Sequence, residues 1–123
     1  MKLRIRGNTL RLRVSKSELE QISTHGFVED AISFAPASRL VYRLEVAADG
    51  PFAAELTPDR IRVRVPEAAV RRWERDDQVS MPAEQAVGSG VVLAILVEKD
   101  FECVNPRAGE DSDLFANPDK GAG

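Results

Sequence analysis

The chain has 123 residues, 43% of them hydrophobic and 30% charged, with a formal net charge of −3. That length suits one folded domain rather than two independent ones, and mild acidity disfavours a general nucleic-acid binder, which needs a clearly basic footprint. A single cysteine, Cys103, excludes an internal disulfide and a cysteine-based zinc site. Met1 to Arg13 holds no apolar run that could serve as a secretory signal, and the longest apolar run, Val91 to Val97, is too short to span a bilayer. A reducing, cytoplasmic setting with no membrane contact is therefore expected.

Lys2 to Arg6 alternates with Leu3 and Ile5 apolar, and Thr9 to Val14 alternates with Leu10, Leu12 and Val14 apolar, the period of half-buried strands. Gly7-Asn8 between them tolerates positive φ. It predicts a tight hairpin that sets Arg6 opposite Thr9, Ile5 opposite Leu10, Arg4 opposite Arg11 and Lys2 opposite Arg13. Ser15 followed by Glu18 is a capping box, so a helix of about two turns starts at Lys16, with Leu19 and Ile22 as its apolar stripe and Gly26 as its stop. Val28 to Phe34 reads as a less regular strand ended by Pro36-Ala37-Ser38. Arg39 to Ala47 is a well-patterned one, with Leu40, Tyr42, Leu44 and Val46 on one face and Arg39, Val41, Arg43 and Glu45 on the other.

After the turn Ala48-Asp49-Gly50-Pro51 the chain repeats itself. At an offset of 51, without a gap, Leu10, Leu12 and Val14 fall on Ile61, Val63 and Val65, and Leu19 and Ile22 fall on Val70 and Trp73. The same offset carries Arg11 and Arg13 onto Arg62 and Arg64, Val28 onto Val79, and the strand Leu40 to Val46 onto Val91 to Val97. Phe52 to Thr57 opens the second half. The turn Pro58-Asp59 then places Glu55 opposite Arg62 and Leu56 opposite Ile61. Pro66 starts a second helix that Asp76-Asp77 closes. Gln78 to Met81 is expected as a short strand and Pro82 to Gly90 as a flexible loop. Val91 to Val97 is apolar on both faces, so Val92, Ala94 and Leu96 need cover from the second helix or from a C-terminal arm, Phe101 to Pro118, carrying Leu114 and Phe115.

The expected organisation is a single domain over 1–123, with half-repeats 1–49 and 52–98 and an arm over 99–123. Its fold class is α+β and β-dominated: two ββαββ repeats with pseudo-two-fold symmetry close an antiparallel barrel or strongly curled sheet with two short helices, because closure removes exposed edges. An open two-layer arrangement is the competing layout.

Two end blocks carry a resemblance. Lys2-Leu-Arg-Ile-Arg-Gly-Asn-Thr-Leu-Arg-Leu-Arg-Val14, and Ile95-Leu-Val-Glu-Lys-Asp-Phe-Glu-Cys103 with Glu110-Asp111, Asp113 and Phe115-Ala-Asn-Pro118, resemble a family of small bacterial proteins of unknown function. The resemblance covers nearly the whole length and implies no activity, cofactor or catalytic residue. In topology the repeats are also similar to the triphosphate tunnel hydrolases, whose eight-stranded barrel surrounds a basic channel with metal-binding glutamates. Their entry motif, Glu-x-Glu-x-Lys, is here Lys2-x-Arg4-x-Arg6, which removes the acidic pair a magnesium ion needs.

No catalytic set, metal site or cofactor site emerges. His25 is the only histidine and stands at a helix end, and Ser15 and Ser17 serve capping better than nucleophilic attack. Cys103 reads as a small hydrophobe, and Trp73, repeating Ile22, as core. Arginine, 13 of the 17 basic residues, is the anomaly. Arg4, Arg11, Arg13, Arg43, Arg62 and Arg64, with Arg6 and Arg60, alternate along strands and are candidates for binding an anion, since guanidinium matches carboxylate and phosphate in a bidentate way. The favoured reading of these arginines is nonetheless a solvated outer face neutralised internally by Glu45, Glu55 or the acids Glu98, Asp100, Glu102, Glu110, Asp111 and Asp113. The expected function is a non-enzymatic binding or protein-interaction module whose partner is a small anion or an acidic protein surface. The rival is a tunnel-type phosphohydrolase or polyphosphate-binding protein, in which Glu45, Glu55 or Glu98 would point inward and hold the metal.

Overall fold

A computed structural model describes residues 1–75 and 78–101. In chain order the elements are β1 (Lys2–Arg6), β2 (Thr9–Val14), α1 (Lys16–His25), β3 (Phe27–Ala35), β4 (Ser38–Ala47), β5 (Ala53–Thr57), β6 (Arg60–Pro66), α2 (Glu67–Arg75), β7 (Ser80–Gly88) and β8 (Val91–Lys99). The first hairpin turns with Gly7 at φ 55° and sets Arg6 opposite Thr9, Ile5 opposite Leu10 and Arg4 opposite Arg11. Ser15 and Glu18 make both bonds of the capping box, and Gly26, at φ 84°, donates its N–H to the Ile22 carbonyl. That helix runs ten residues, longer than two turns. Pro66 ends β6 instead of opening α2.

The strands form two four-stranded sheets, β1-β2-β8-β7 and β3-β4-β6-β5. Each sheet takes one hairpin from each half of the chain, and the two hairpins join through a parallel pair, β2 with β8 and β4 with β6. The expected antiparallel barrel is thereby corrected: the sheets are mixed and neither closes. β1, β7, β3 and β5 remain as edges. At one seam a single side chain takes the place of strand pairing, because Gln85 Oε1 accepts from the Ala54 N–H at 2.7 Å and its Nε2 donates to the Ala54 carbonyl at 2.9 Å. Pro82, which has no N–H for a ladder, also sits in the edge strand β7.

The inward faces of both sheets share one apolar cluster. Leu10, Leu12, Val14, Met81, Ile95 and Val97 of the first sheet meet Val28, Leu44, Val63 and Val65 of the second, with Ile22, Val70 and Trp73 from the helices. Trp73 is fully buried and its indole N–H is satisfied by the Val79 carbonyl at 3.1 Å, so the ring contributes its whole apolar area without an orphaned donor. α2 packs against β4, β6 and β7 and leaves the outward face of β8 open, where Val92 is exposed. The expected packing of the C-terminal arm on that face, like the closing role of Asp76-Asp77, lies outside the described residues.

Pro82 to Gly88 belongs to β7, not to a loop, and only Ser89-Gly90 forms the turn to β8. This strand shifts the repeat. Through the first hairpin and the helix the halves correspond at 51 residues, whereas β3 starts at Phe27 and β7 at Ser80, so Val28 corresponds to Met81, Leu44 to Val97 and Glu45 to Glu98, at 53. Backbone bonds repeat under this mapping: Val41 N–H to Asp59 carbonyl matches Ala94 N–H to Asn8 carbonyl, and Val46 N–H to Gly26 carbonyl matches Lys99 N–H to Val79 carbonyl. Ser23 and Glu74, at corresponding positions of the two helices, bond each other at 2.6 Å.

Candidate functional site

The structure divides the arginines between the outward faces of the two sheets. Arg4, Arg11 and Arg13 lie on the first sheet, Arg43, Arg62 and Arg64 on the second, so the six do not line one groove. Among the described residues no channel encloses them, and the inward faces are apolar. Glu45, Glu55 and Glu98 stand on these same outward faces among arginines, not inward as a tunnel enzyme would require.

On each sheet a glutamate from the second hairpin lies between two arginines of the first-hairpin type. Glu98 Oε1 accepts from Arg13 Nε at 2.6 Å and its Oε2 from an Arg11 terminal nitrogen at 3.2 Å. Glu45 lies 3.1 Å from Arg62 Nε and 3.9 Å from Arg64 Nε. Arg11 and Arg62 are equivalent, and the Nε of each is buried close to its glutamate (2.7 and 3.1 Å) yet off the hydrogen-bond direction. Burial by itself would raise the pKa of Glu98, but hydrogen bonds and positive charge from Arg11 and Arg13 outweigh it and hold the carboxyl below its usual value. In both sheets a glutamate thus neutralises paired arginines across the parallel strand pair.

Beyond the triads the two faces diverge. On the second sheet one row across the strands reads Glu55, Arg62, Arg43, Glu29, two adjacent arginines flanked by an acid on each side. Arg43 reaches Glu45 at 3.1 Å and Glu29 at 3.3 Å, Arg60 reaches Glu29 at 3.9 Å and Arg62 reaches Glu55 at 4.0 Å. Arg43 also stacks 3.8 Å over the Phe27 ring. The equivalent row of the first sheet reads Arg4, Arg11, Leu96, Pro82. Both acids are gone. Lys2 is met by Asp100 at 2.9 Å, and that bond, ahead of the Lys2 charge, lowers the Asp100 pKa. Among the described residues no carboxylate reaches Arg4 or Arg6. These two, with Thr9 and Arg11, line an open pocket of about 330 Å³.

The model of a family of unknown function, DUF7009, matches residues 1–119. The chain belongs to that family. No curated protein and no solved structure matches the chain. For a DUF7009 protein the structure therefore has to supply the functional argument, and its clearest statement is the unequal treatment of two equivalent faces. The sequence shows the arginines but not their sorting: at an offset of 51 Glu45 falls on Leu96, and only the 53-residue offset aligns it with Glu98 and reveals the triads. Among the described residues no group of His, Cys, Asp or Glu is placed to hold a metal ion, and no helix is long and apolar enough to cross a membrane.

Proposed function

We propose that this protein is a non-enzymatic binding module whose anion-binding site is the outward face of β1 and β2, with Arg4, Arg6 and Arg11 as the recognising groups and Thr9 as a supporting hydroxyl. One observation carries the reading: where the second sheet offers Glu55 and Glu29 to its arginines, the equivalent positions on the first sheet are Arg4 and Pro82. The fold tolerates full internal neutralisation there, as its other half shows, so the missing acids leave positive charge available to a ligand. Arg4 directly opposite Arg11 is a like-charge cross-strand pair, unfavourable by about 0.2–1 kcal/mol until an anion bridges it. Arg13, Arg43, Arg62 and Arg64 take structural roles in this reading. The partner carries carboxylate or phosphate groups, and one cysteine in 123 residues suits a reducing, cytoplasmic setting.

Thermal melts with increasing tripolyphosphate or polyglutamate test this, since a ligand that binds only the folded state raises stability with concentration. A rise that is lost in Arg4→Ala and Arg6→Ala but kept in Arg62→Ala is expected. No rise, or equal loss in all three variants, would contradict the assignment.

A further inference from the structure

The two seams between the sheets are equivalent by pseudo-symmetry but finished differently. At the β5/β7 seam Gln85 presents an amide to the Ala54 backbone, imitating the donor and acceptor of a neighbouring strand. The equivalents of Ala54 and Gln85 at the β1/β3 seam are Leu3 and Ile32, and an isoleucine has neither donor nor acceptor to offer. Ile32 is half exposed, and Ile5, two residues along β1, is 62% exposed. The two-residue turn makes Arg6 and Thr9 the hydrogen-bonded pair, so Arg6, Arg4 and Lys2 direct their backbone groups to β2, while those of Leu3 and Ile5 point outward. Among the described residues β1 thus ends the first sheet with an open ladder, cationic side chains on one face and apolar ones on the other.

We propose that this edge takes up an extended partner segment in which acidic and apolar residues alternate, added to the first sheet as a fifth strand beside β1. The inference rests on the anion-binding reading above and names its partner class. Side chains of an added strand alternate with period two, so acids on one face would meet Lys2, Arg4 and Arg6 while apolar groups on the other meet Leu3 and Ile5. The charges also select the occupant. A second copy pairing through its own β1 sets Lys2, Arg4 and Arg6 against one another, which like-charge repulsion opposes, whereas an acidic strand is attracted.

The test uses the full chain and two labelled heptapeptides of equal composition, one alternating glutamate and valine, the other with its glutamates and valines in separate blocks. Fluorescence anisotropy gives the affinities, and amide hydrogen exchange reads the edge. The alternating peptide is expected to bind at least about tenfold more tightly than the blocked one, to slow exchange at the Leu3 and Ile5 amides, and to be weakened about tenfold or more by Arg4→Glu or Arg6→Glu. Ile5→Pro removes one outward N–H, a substitution an edge strand accommodates, and should weaken the alternating peptide while leaving tripolyphosphate binding intact. Equal binding of both peptides without slowed exchange would overturn strand addition and leave the anion site standing. Failure of both peptides and of tripolyphosphate would overturn both readings. Slow exchange at Leu3 and Ile5 in the protein alone would overturn the proposal in favour of another occupant, a second copy if it depends on protein concentration and this chain's own residues 102–123 if it does not.

Discussion

At the scale of single residues, Glu98 carries the sharpest consequence. The residue is 7% exposed and its carboxylate serves two guanidiniums at once, so removing it strands Arg11 and Arg13 side by side. Glu98→Gln is expected to cost about 1–3 kcal/mol in urea unfolding at pH 7, the range for a charged hydrogen-bond partner lost from a partly buried site. The pH dependence has a definite sign. Because the folded-state pKa of Glu98 lies below the ordinary value of 4.5, its contribution is fully present above 4.5 and is lost as pH falls through the lower folded value. Unfolding curves taken from pH 7 down through this window should converge for wild type and Glu98→Gln; a constant gap would contradict the triad. Gly26 offers a second check. A Cβ there meets nothing within 4 Å, so the cost of Gly26→Ala is that of holding an L residue at φ 84°, about 1 kcal/mol by the same measurement.

At the scale of elements, the seam formed by Gln85 separates a closed sheet edge from an open one. Gln85→Ala should remove two hydrogen bonds, lower stability by about 1–2 kcal/mol and speed exchange of the Ala54 amide. Unchanged exchange would mean that the seam is closed by other contacts. The individual elements were legible in the sequence where local chemistry specifies them: the Gly7-Asn8 turn, the Ser15/Glu18 capping box and the alternation of β4 all stand where the residues place them. Two errors have a common cause in the period of the strand. A slip of two residues leaves every side chain on the same face, so hydrophobic alternation could not distinguish an offset of 51 from one of 53, nor align Glu45 with Glu98. The stretch Pro82 to Gly90 reads as a loop because it departs from the 51-residue repeat, whereas most of it is an edge strand, which accepts a proline.

At the scale of the whole molecule, the swapped arrangement means that neither half owns a sheet. The repeated pattern of the sequence does not reveal the parallel joins β2-β8 and β4-β6, because a hairpin pattern records which neighbours a strand has along the chain and not which it meets across the fold. A consequence follows for the halves. Residues 1–50 alone would hold two hairpins without their sheet partners and expose Leu12, Val14 and Leu44, which are buried in the intact chain. This fragment is expected to show an unfolded circular dichroism spectrum, and a cooperative melt from it would contradict the interleaved core.

The same symmetry frames the functional claim, since a feature kept in both halves serves the fold and one altered in a single half is free to serve a ligand. The triads, Arg11 among their members, are of the first kind, and in the proposed reading Arg4 and Arg6 beside Arg11 are of the second. The most direct test is to follow arginine Nε–Hε resonances by NMR while tripolyphosphate is added to the full chain. Saturable shifts confined to Arg4, Arg6 and Arg11, with Arg43, Arg62 and Arg64 unmoved, are predicted; uniform shifts on both faces, or none at all, would contradict the account.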